Sequence, residues 1–110
     1  MTHPFYDNKI NANGVHYLSE LLSAYQLGRV SLPALANKLD TARFGLLFPE
    51  KEWLDTYSKF WGVIEECNAL ALDAGQTSVL PEHQQLLDDT VIKLQSFFSD
   101  TFPVQNQSEA

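Results

Sequence analysis

One stretch of the chain, residues 50–74, constrains the fold more than any other feature, because it contains no proline and a single glycine, Gly62. Its apolar side chains recur at steps of four and three residues, which is the period of one helix face. We call this face the apolar seam; it consists of Trp53, Tyr57, Phe60, Ile64, Cys67 and Ala71. At 1.5 Å per residue the helix would be roughly 36 Å long. We therefore expect it to be the central element of the fold.

Two helices are expected before this long one. Residues 15–27 carry apolar side chains with helical spacing, after a capping residue at Asn13 and before a glycine stop at Gly28. The next helix is expected to follow a cap at Ser31 and to end at Gly45. Because the connection between the two is short, they should pack as an antiparallel pair.

The rest of the chain completes an all-helical pattern. A last amphipathic helix is expected over residues 81–99, and no segment has the pattern of a strand. Residues 1–12 are expected to be irregular, and residues 103–110 to form a polar, frayed tail. The sequence therefore predicts an all-α fold, in which residues 1–110 form a single-domain bundle of about four helices around the long central one.

The charge of the chain limits its partners. Fourteen acidic residues against seven basic ones give a net charge of −7. A surface of this sign repels phosphate backbones, so we expect no direct binding to nucleic acid. The longest apolar run, residues 44–48, is too short to cross a membrane, and the N-terminus lacks a signal-peptide pattern. We therefore expect a cytoplasmic protein that does not bind membranes.

Side chains capable of chemistry do not form a recognisable site. His16 and Glu20 could share a metal on one helix, but two ligands are too few, and a polar surface pair explains the spacing. Cys67 lies on the apolar seam, where a thiol behaves as a small hydrophobic residue rather than a nucleophile. Adjacent carboxylates such as Glu65 and Glu66 diverge by about 100° on a helix and cannot share a proton. We expect no catalytic residues, no metal and no cofactor; a small enzyme with a site between helices is the alternative.

A stripe of carboxylates follows the side of the long helix opposite the seam. With Glu52 at zero and about 100° per residue, Asp55, Glu66 and Asp73 fall between about 300° and 320°, with only Lys59 among them. Such like charges destabilise a helix by about 0.2–0.5 kcal/mol per pair. The stripe is either a solvated face or a docking surface for a basic protein. Trp61, at about 180° on the same wheel, either covers another helix or faces a partner.

The order of these elements resembles that of small helical immunity proteins. Residues 27–35, Leu-Gly-Arg-Val-Ser-Leu-Pro-Ala-Leu, look like the turn between their first helices. Residues 60–75 look like their central helix, and the run from Leu80 to Phe98 is similar to their last helix. The likeness covers residues 15–99. Immunity proteins of this kind protect bacteria from the toxins of contact-dependent growth inhibition and related polymorphic systems, many of which are nucleases.

The resemblance implies a cytoplasmic inhibitor that binds one cognate toxin domain and catalyses nothing. A nuclease domain is basic because it holds a polyanion, so an acidic helix face could occlude its active site. The residues expected to contact it are Glu52, Asp55, Trp61, Glu65, Glu66 and Asp73, with Trp61 as the aromatic anchor. We expect a monomer or weak homo-oligomer. The alternative is an acidic helical adaptor or regulatory protein that binds a different basic protein.

Overall fold

The fold consists of four helices. The computed structural model describes residues 3–103. It contains α1 (Lys9–Gln26), α2 (Leu32–Ala42), α3 (Lys51–Asp73) and α4 (Gln84–Thr101), with short 3₁₀ turns at Arg43–Gly45 and Pro81–His83. No strand occurs within the described residues. The predicted all-α fold with one long helix is thus confirmed.

The helices form an up-and-down bundle. Each helix packs against the next one in the chain, and α4 closes the bundle by packing against α1. α3 and α4 run antiparallel, as two contacts show. The Trp53 indole N–H donates to the Thr101 hydroxyl over 2.7 Å, whereas the Phe60 ring, two turns further along α3, lies 5.9 Å from the Phe97 ring. The outer surface of α3 is therefore flanked by α2 on one side and α4 on the other.

The apolar seam of α3 forms one wall of the core. Five of its six side chains are buried, as predicted; the sixth, Phe60, is half-buried against Phe97. Trp53 is the hub, with its ring 5.0 Å from Phe97 and 4.8 Å from Phe5. Phe5 is fully buried, so the N-terminal segment is part of the core. Such aromatic contacts add to the stabilisation that burial of apolar area provides.

The start of the first helix differs from the prediction. Residues 1–12 were expected to be irregular and Asn13 to be the cap, but α1 begins at Lys9, with the Asn8 side chain accepting from the Asn11 amide at 3.0 Å. The asparagines and Gly14 lower the helix propensity of this segment. Tertiary bonds override that propensity: the buried Asn11 side chain donates to the carbonyls of Phe5 and Leu47 and accepts from the Leu47 amide.

The other helix boundaries follow the predicted pattern more closely. Gly28 and Gly75 both have a φ of +76°, the left-handed conformation that ends α1 and α3. The second helix ends three residues before Gly45, because its last turn tightens into a 3₁₀ turn. α4 begins after a similar turn and continues to Thr101, beyond the predicted residue 99. Of the predicted frayed tail, residues 104–110 lie outside the described residues.

A carboxylate caps the N-terminus of α3. Glu50 accepts from the Trp53 amide at 2.9 Å and from the Tyr6 hydroxyl at 3.1 Å. The bond from the Trp53 amide, with a smaller contribution from Tyr6, lowers the pKa of Glu50 below its usual value. Because the pKa is lower in the folded state, this cap stabilises the protein above the pKa of the unfolded chain. That stabilisation is lost as the pH falls through the folded-state pKa.

We therefore expect Glu50→Gln to lower the free energy of unfolding at pH 7 and to reduce its decline towards pH 3. Urea unfolding between pH 7 and pH 3 measures both. Glu82→Gln, which changes an exposed carboxylate of the second 3₁₀ turn, is the control and should leave the pH profile unchanged. A Glu50→Gln profile parallel to that of the wild type would contradict the capping role.

Candidate partner-binding face

The carboxylates predicted to bind a partner lie on the surface of α3. Glu52, Asp55, Glu66 and Asp73 are all exposed, and so is Lys59. Glu65 is half-buried, and its carboxylate accepts from the Asn68 amide at 3.3 Å. The expected exposure of the stripe is thus confirmed. Whether a partner uses it stays a prediction.

The two halves of the stripe differ in their pairing. Lys51 lies 2.8 Å from Asp55, one turn along the helix. The expectation that only Lys59 offsets these carboxylates is therefore wrong, because the Lys51 side chain reaches Asp55 from the preceding turn of the helix. The only other ion pair among residues 3–103 joins Arg43 and Asp40. The carboxylates of the C-terminal half of α3 form no ion pair with another described residue.

The net charge of the described chain belongs to its C-terminal part. Residues 3–59 contain six acidic and six basic residues, so their charges cancel. Residues 60–103 contain seven acidic residues and one basic residue, a net charge of −6. The seven are Glu65, Glu66, Asp73, Glu82, Asp88, Asp89 and Asp100, of which only Glu65 is not exposed. These carboxylates lie on the C-terminal half of α3, on α4 and on the 3₁₀ turn before α4. The helices α3 and α4 pack against each other. The carboxylates produce a net negative field, and none of them forms an ion pair with another described residue.

Asp73 stands at an unfavourable position for stability. It is the last residue of α3, and the last turn of this helix contains no basic residue. A carboxylate at the negative end of the helix dipole destabilises the helix, typically by about 0.3–1 kcal/mol at an exposed site.

Trp61 packs against α2 rather than standing free. It is half-buried, and its indole N–H donates to the Ala36 carbonyl at 2.9 Å. The Arg43 guanidinium lies over its ring, 4.6 Å from the centroid, and also donates to the Ser58 hydroxyl at 3.1 Å. Trp61 thus follows the first of its two predicted roles, that of covering another helix. Its role as the aromatic anchor for a partner stays a prediction. The indole N–H is not available to a partner, because it donates to Ala36.

The side chains considered for chemistry have structural partners. Cys67 is buried, and burial raises the pKa of its thiol, with a smaller contribution from Glu66; this confirms the predicted core role. A surface pair of His16 and Glu20 was expected, but the structure does not form it. The His16 Nε2 lies 3.0 Å from the Phe102 carbonyl oxygen instead. Across residues 3–103, no three His, Cys, Asp or Glu side chains are grouped so that they could hold a metal.

The surface of the bundle has grooves, two of which are lined in part by residues at or near the C-terminal end of α1. The larger, about 830 Å³, follows one side of α1 from His16 to Leu27. The smaller, about 610 Å³, lies where the turn between α1 and α2 meets the loop before α4. Tyr25 and Asp88 line this second groove, and Asp88 accepts from the Gln84 amide at 2.8 Å. Neither groove is lined by a carboxylate of the α3 stripe.

Sequence reasoning missed a cluster at the other end of α3. The loop of residues 44–48 exposes Phe44 and Phe48, and the buried Asn11 holds its backbone at Leu47. The signal was present as the longest apolar run in the sequence, but such a run without a period is equally typical of a buried strand or a buried helix segment. The bonds of Asn11, 36 residues away, could not be inferred from spacing.

Comparisons with known proteins do not assign this chain to a family: no family model, curated protein or solved structure matches it. Within residues 3–103, none of the helices combines the length and apolar character needed to cross a bilayer.

Proposed function

We propose that this chain is a bacterial immunity protein that binds a basic toxin domain through the acidic surface of α3 and performs no chemistry itself. The observation that carries the proposal is the position of the charge. All of the net negative charge of the described residues lies within residues 60–103, mostly on exposed side chains that have no ion-pair partner there. The resemblance of the helix order to small immunity proteins supports the same assignment.

The physical basis of the inhibition is charge complementarity. A nuclease holds its substrate with lysine and arginine side chains aimed at phosphates. Carboxylates such as Glu66 and Asp73 can occupy those positions and exclude the nucleic acid, which makes the toxin inactive. The negative field also accelerates association with a cationic surface, which matters for a cytoplasmic inhibitor of a toxin that acts at low concentration.

The proposed contact surface includes every residue of the predicted set, but we expect these residues to contribute unequally to binding. Glu66 and Asp73 are its centre, because they are exposed and make no ion pair within the described chain. Glu52 extends it towards the start of α3. Asp55, paired with Lys51, and Glu65, bonded to Asn68, contribute less charge to an incoming partner. Trp61 contributes only the part of its ring that Arg43 leaves uncovered.

The test uses the domain encoded directly upstream of this gene as the probe. We expect the purified chain to bind that domain as a monomer, to abolish its toxicity on co-expression and to inhibit its nuclease activity in vitro. If the upstream gene encodes no toxic domain, or if the chain binds that domain without protecting cells, the immunity assignment is wrong. Binding without protection, together with retained toxin activity, would favour the adaptor class.

A further inference from the structure

The loop of residues 44–48, which we call the aromatic loop, exposes large apolar side chains between α2 and α3. Phe44 is 78% exposed, Phe48 60% and Leu47 39%. Leu27 and Ile92 are exposed singly, and the nearby pair Leu70 and Leu72 is exposed to a smaller extent than Phe44 and Phe48. Single exposed apolar residues are normal on a protein surface, whereas several large ones within five residues of one loop are typical of an interaction site.

The backbone of the aromatic loop is held firmly in place. The buried side chain of Asn11 accepts from the Leu47 amide at 2.7 Å and donates to the Leu47 carbonyl at 2.8 Å. The same amide group of Asn11 donates to the Phe5 carbonyl at 3.0 Å, which ties the loop to the core segment. A loop fixed in this way avoids the entropic cost of ordering its backbone on binding.

Phe48 adopts a backbone conformation that its side chain disfavours. Its φ of +50° lies in the left-handed region, where bulky residues are rare and glycine is unstrained. Burial does not explain a phenylalanine at this position, since most of the residue is exposed. Strained residues of this kind persist where the surrounding structure enforces them, and they cluster at functional sites.

The aromatic loop is continuous with the acidic stripe. Arg43 connects them: its guanidinium lies 5.3 Å from the centre of the Phe44 ring and donates to Ser58 of α3. Ser58 is about 60° from Asp55 on the helix wheel, so the two residues are neighbours on the surface of α3. Arg43 and Lys51 are paired with Asp40 and Asp55, and the Glu50 carboxylate caps α3, so Glu52 is the exposed carboxylate near the loop that has no ionic partner among the described residues.

From this arrangement we propose that the aromatic loop is the apolar anchor of the interface, with Phe44 and Phe48 inserted into an apolar cleft of the partner that is bordered by lysine or arginine. This inference rests on the proposed function and adds the hydrophobic contact that it lacks. Interface energy concentrates in buried aromatic anchors surrounded by polar contacts, and the exposed phenylalanines meet that description better than Trp61 does. Cations at the rim of the cleft complement Glu52 and can also lie against the Phe44 ring.

The test measures association and dissociation rates against the domain encoded directly upstream. Phe44→Ala and Phe48→Gly are the variants; glycine keeps the left-handed backbone at residue 48, so the fold is retained. We expect each variant to dissociate at least about 10-fold faster, with the salt dependence of association unchanged, because an apolar anchor acts on the dissociation rate. Leu27→Ala and Ile92→Ala, which remove exposed apolar side chains elsewhere, are the controls and should dissociate like the wild type.

The outcomes separate this inference from the proposed function. Wild-type dissociation rates for both phenylalanine variants, with tight binding by the unaltered chain, would overturn the anchor and leave the immunity assignment standing. Failure of the unaltered chain to bind the domain overturns both. Light scattering tests whether the loop binds a second copy of this chain instead. A wild-type dimer that Phe44→Ala converts to a monomer would show such self-association and would contradict the proposal.

Discussion

Replacing Trp53 by alanine is expected to reduce the free energy of unfolding by about 3–5 kcal/mol, the typical cost of removing a buried tryptophan. Trp53 is only 4% exposed, and its ring stacks on Phe97 while also contacting Phe5. Its loss would open a cavity where α3, α4 and the N-terminal segment meet. The Thr101 hydroxyl would also lose the indole donor. Chemical denaturation followed by circular dichroism measures the change.

Two further variants make this prediction specific. Trp53→Phe keeps an aromatic ring but removes the donor to Thr101, so its loss should be smaller than that of the alanine variant. Leu86→Ala removes an exposed side chain of α4 and should change the stability by less than about 0.5 kcal/mol. A loss below 1 kcal/mol for Trp53→Ala would show that the described aromatic core is wrong.

The double substitution Glu66→Lys and Asp73→Lys is expected to slow association with the toxin domain by about 10- to 100-fold at low salt, the range typical of electrostatic steering. The reversal replaces two unpaired carboxylates of the stripe by cations that repel a basic surface. The dependence of the association rate on salt should weaken in parallel. Stopped-flow association between about 20 and 300 mM NaCl measures both quantities, a range over which exposed charges become largely screened.

Stability provides the internal control for this variant. A lysine at residue 73 lies at the negative end of the α3 dipole, so Asp73→Lys alone should stabilise the fold by about 0.3–1 kcal/mol. Weaker binding by a more stable protein cannot be attributed to misfolding. Glu20→Lys, on the exposed surface of α1, is the matched charge reversal away from the stripe and should have a smaller effect on association. Equal slowing by Glu20→Lys would show that net charge alone, rather than the stripe, governs binding.

Local patterns predicted the helices because each helix satisfies its own backbone and buries one face. The period of the apolar seam identified α3, and Gly28, Gly75 and Ser31 marked boundaries through their own conformations and side chains. Asn11 and Asn13 misled the prediction of α1, since their local preference opposes a helix. The bonds from Asn11 to Leu47 decide the outcome, and these join residues that only the tertiary fold brings together.

For the candidate site, the exposure of side chains could be predicted from the sequence, but their pairing could not. A helix wheel placed the carboxylates correctly on the surface of α3, because exposure follows from the position of the seam. It could not show that Lys51 pairs with Asp55 or that Arg43 covers Trp61, since these depend on side-chain rotamers and on the path of the loop after α2. The exposed phenylalanines of the aromatic loop depend on that same path.

Labelling of carboxylates with a carbodiimide and an amine, read by mass spectrometry, tests most directly whether the acidic surface meets the toxin domain. It reports the accessibility of each carboxylate in the free chain and in the complex. Glu66 and Asp73 are predicted to react in the free chain and to be protected in the complex, whereas Glu20 reacts in both. Unchanged labelling of Glu66 and Asp73 in a complex that nevertheless forms would contradict the proposed mechanism of inhibition.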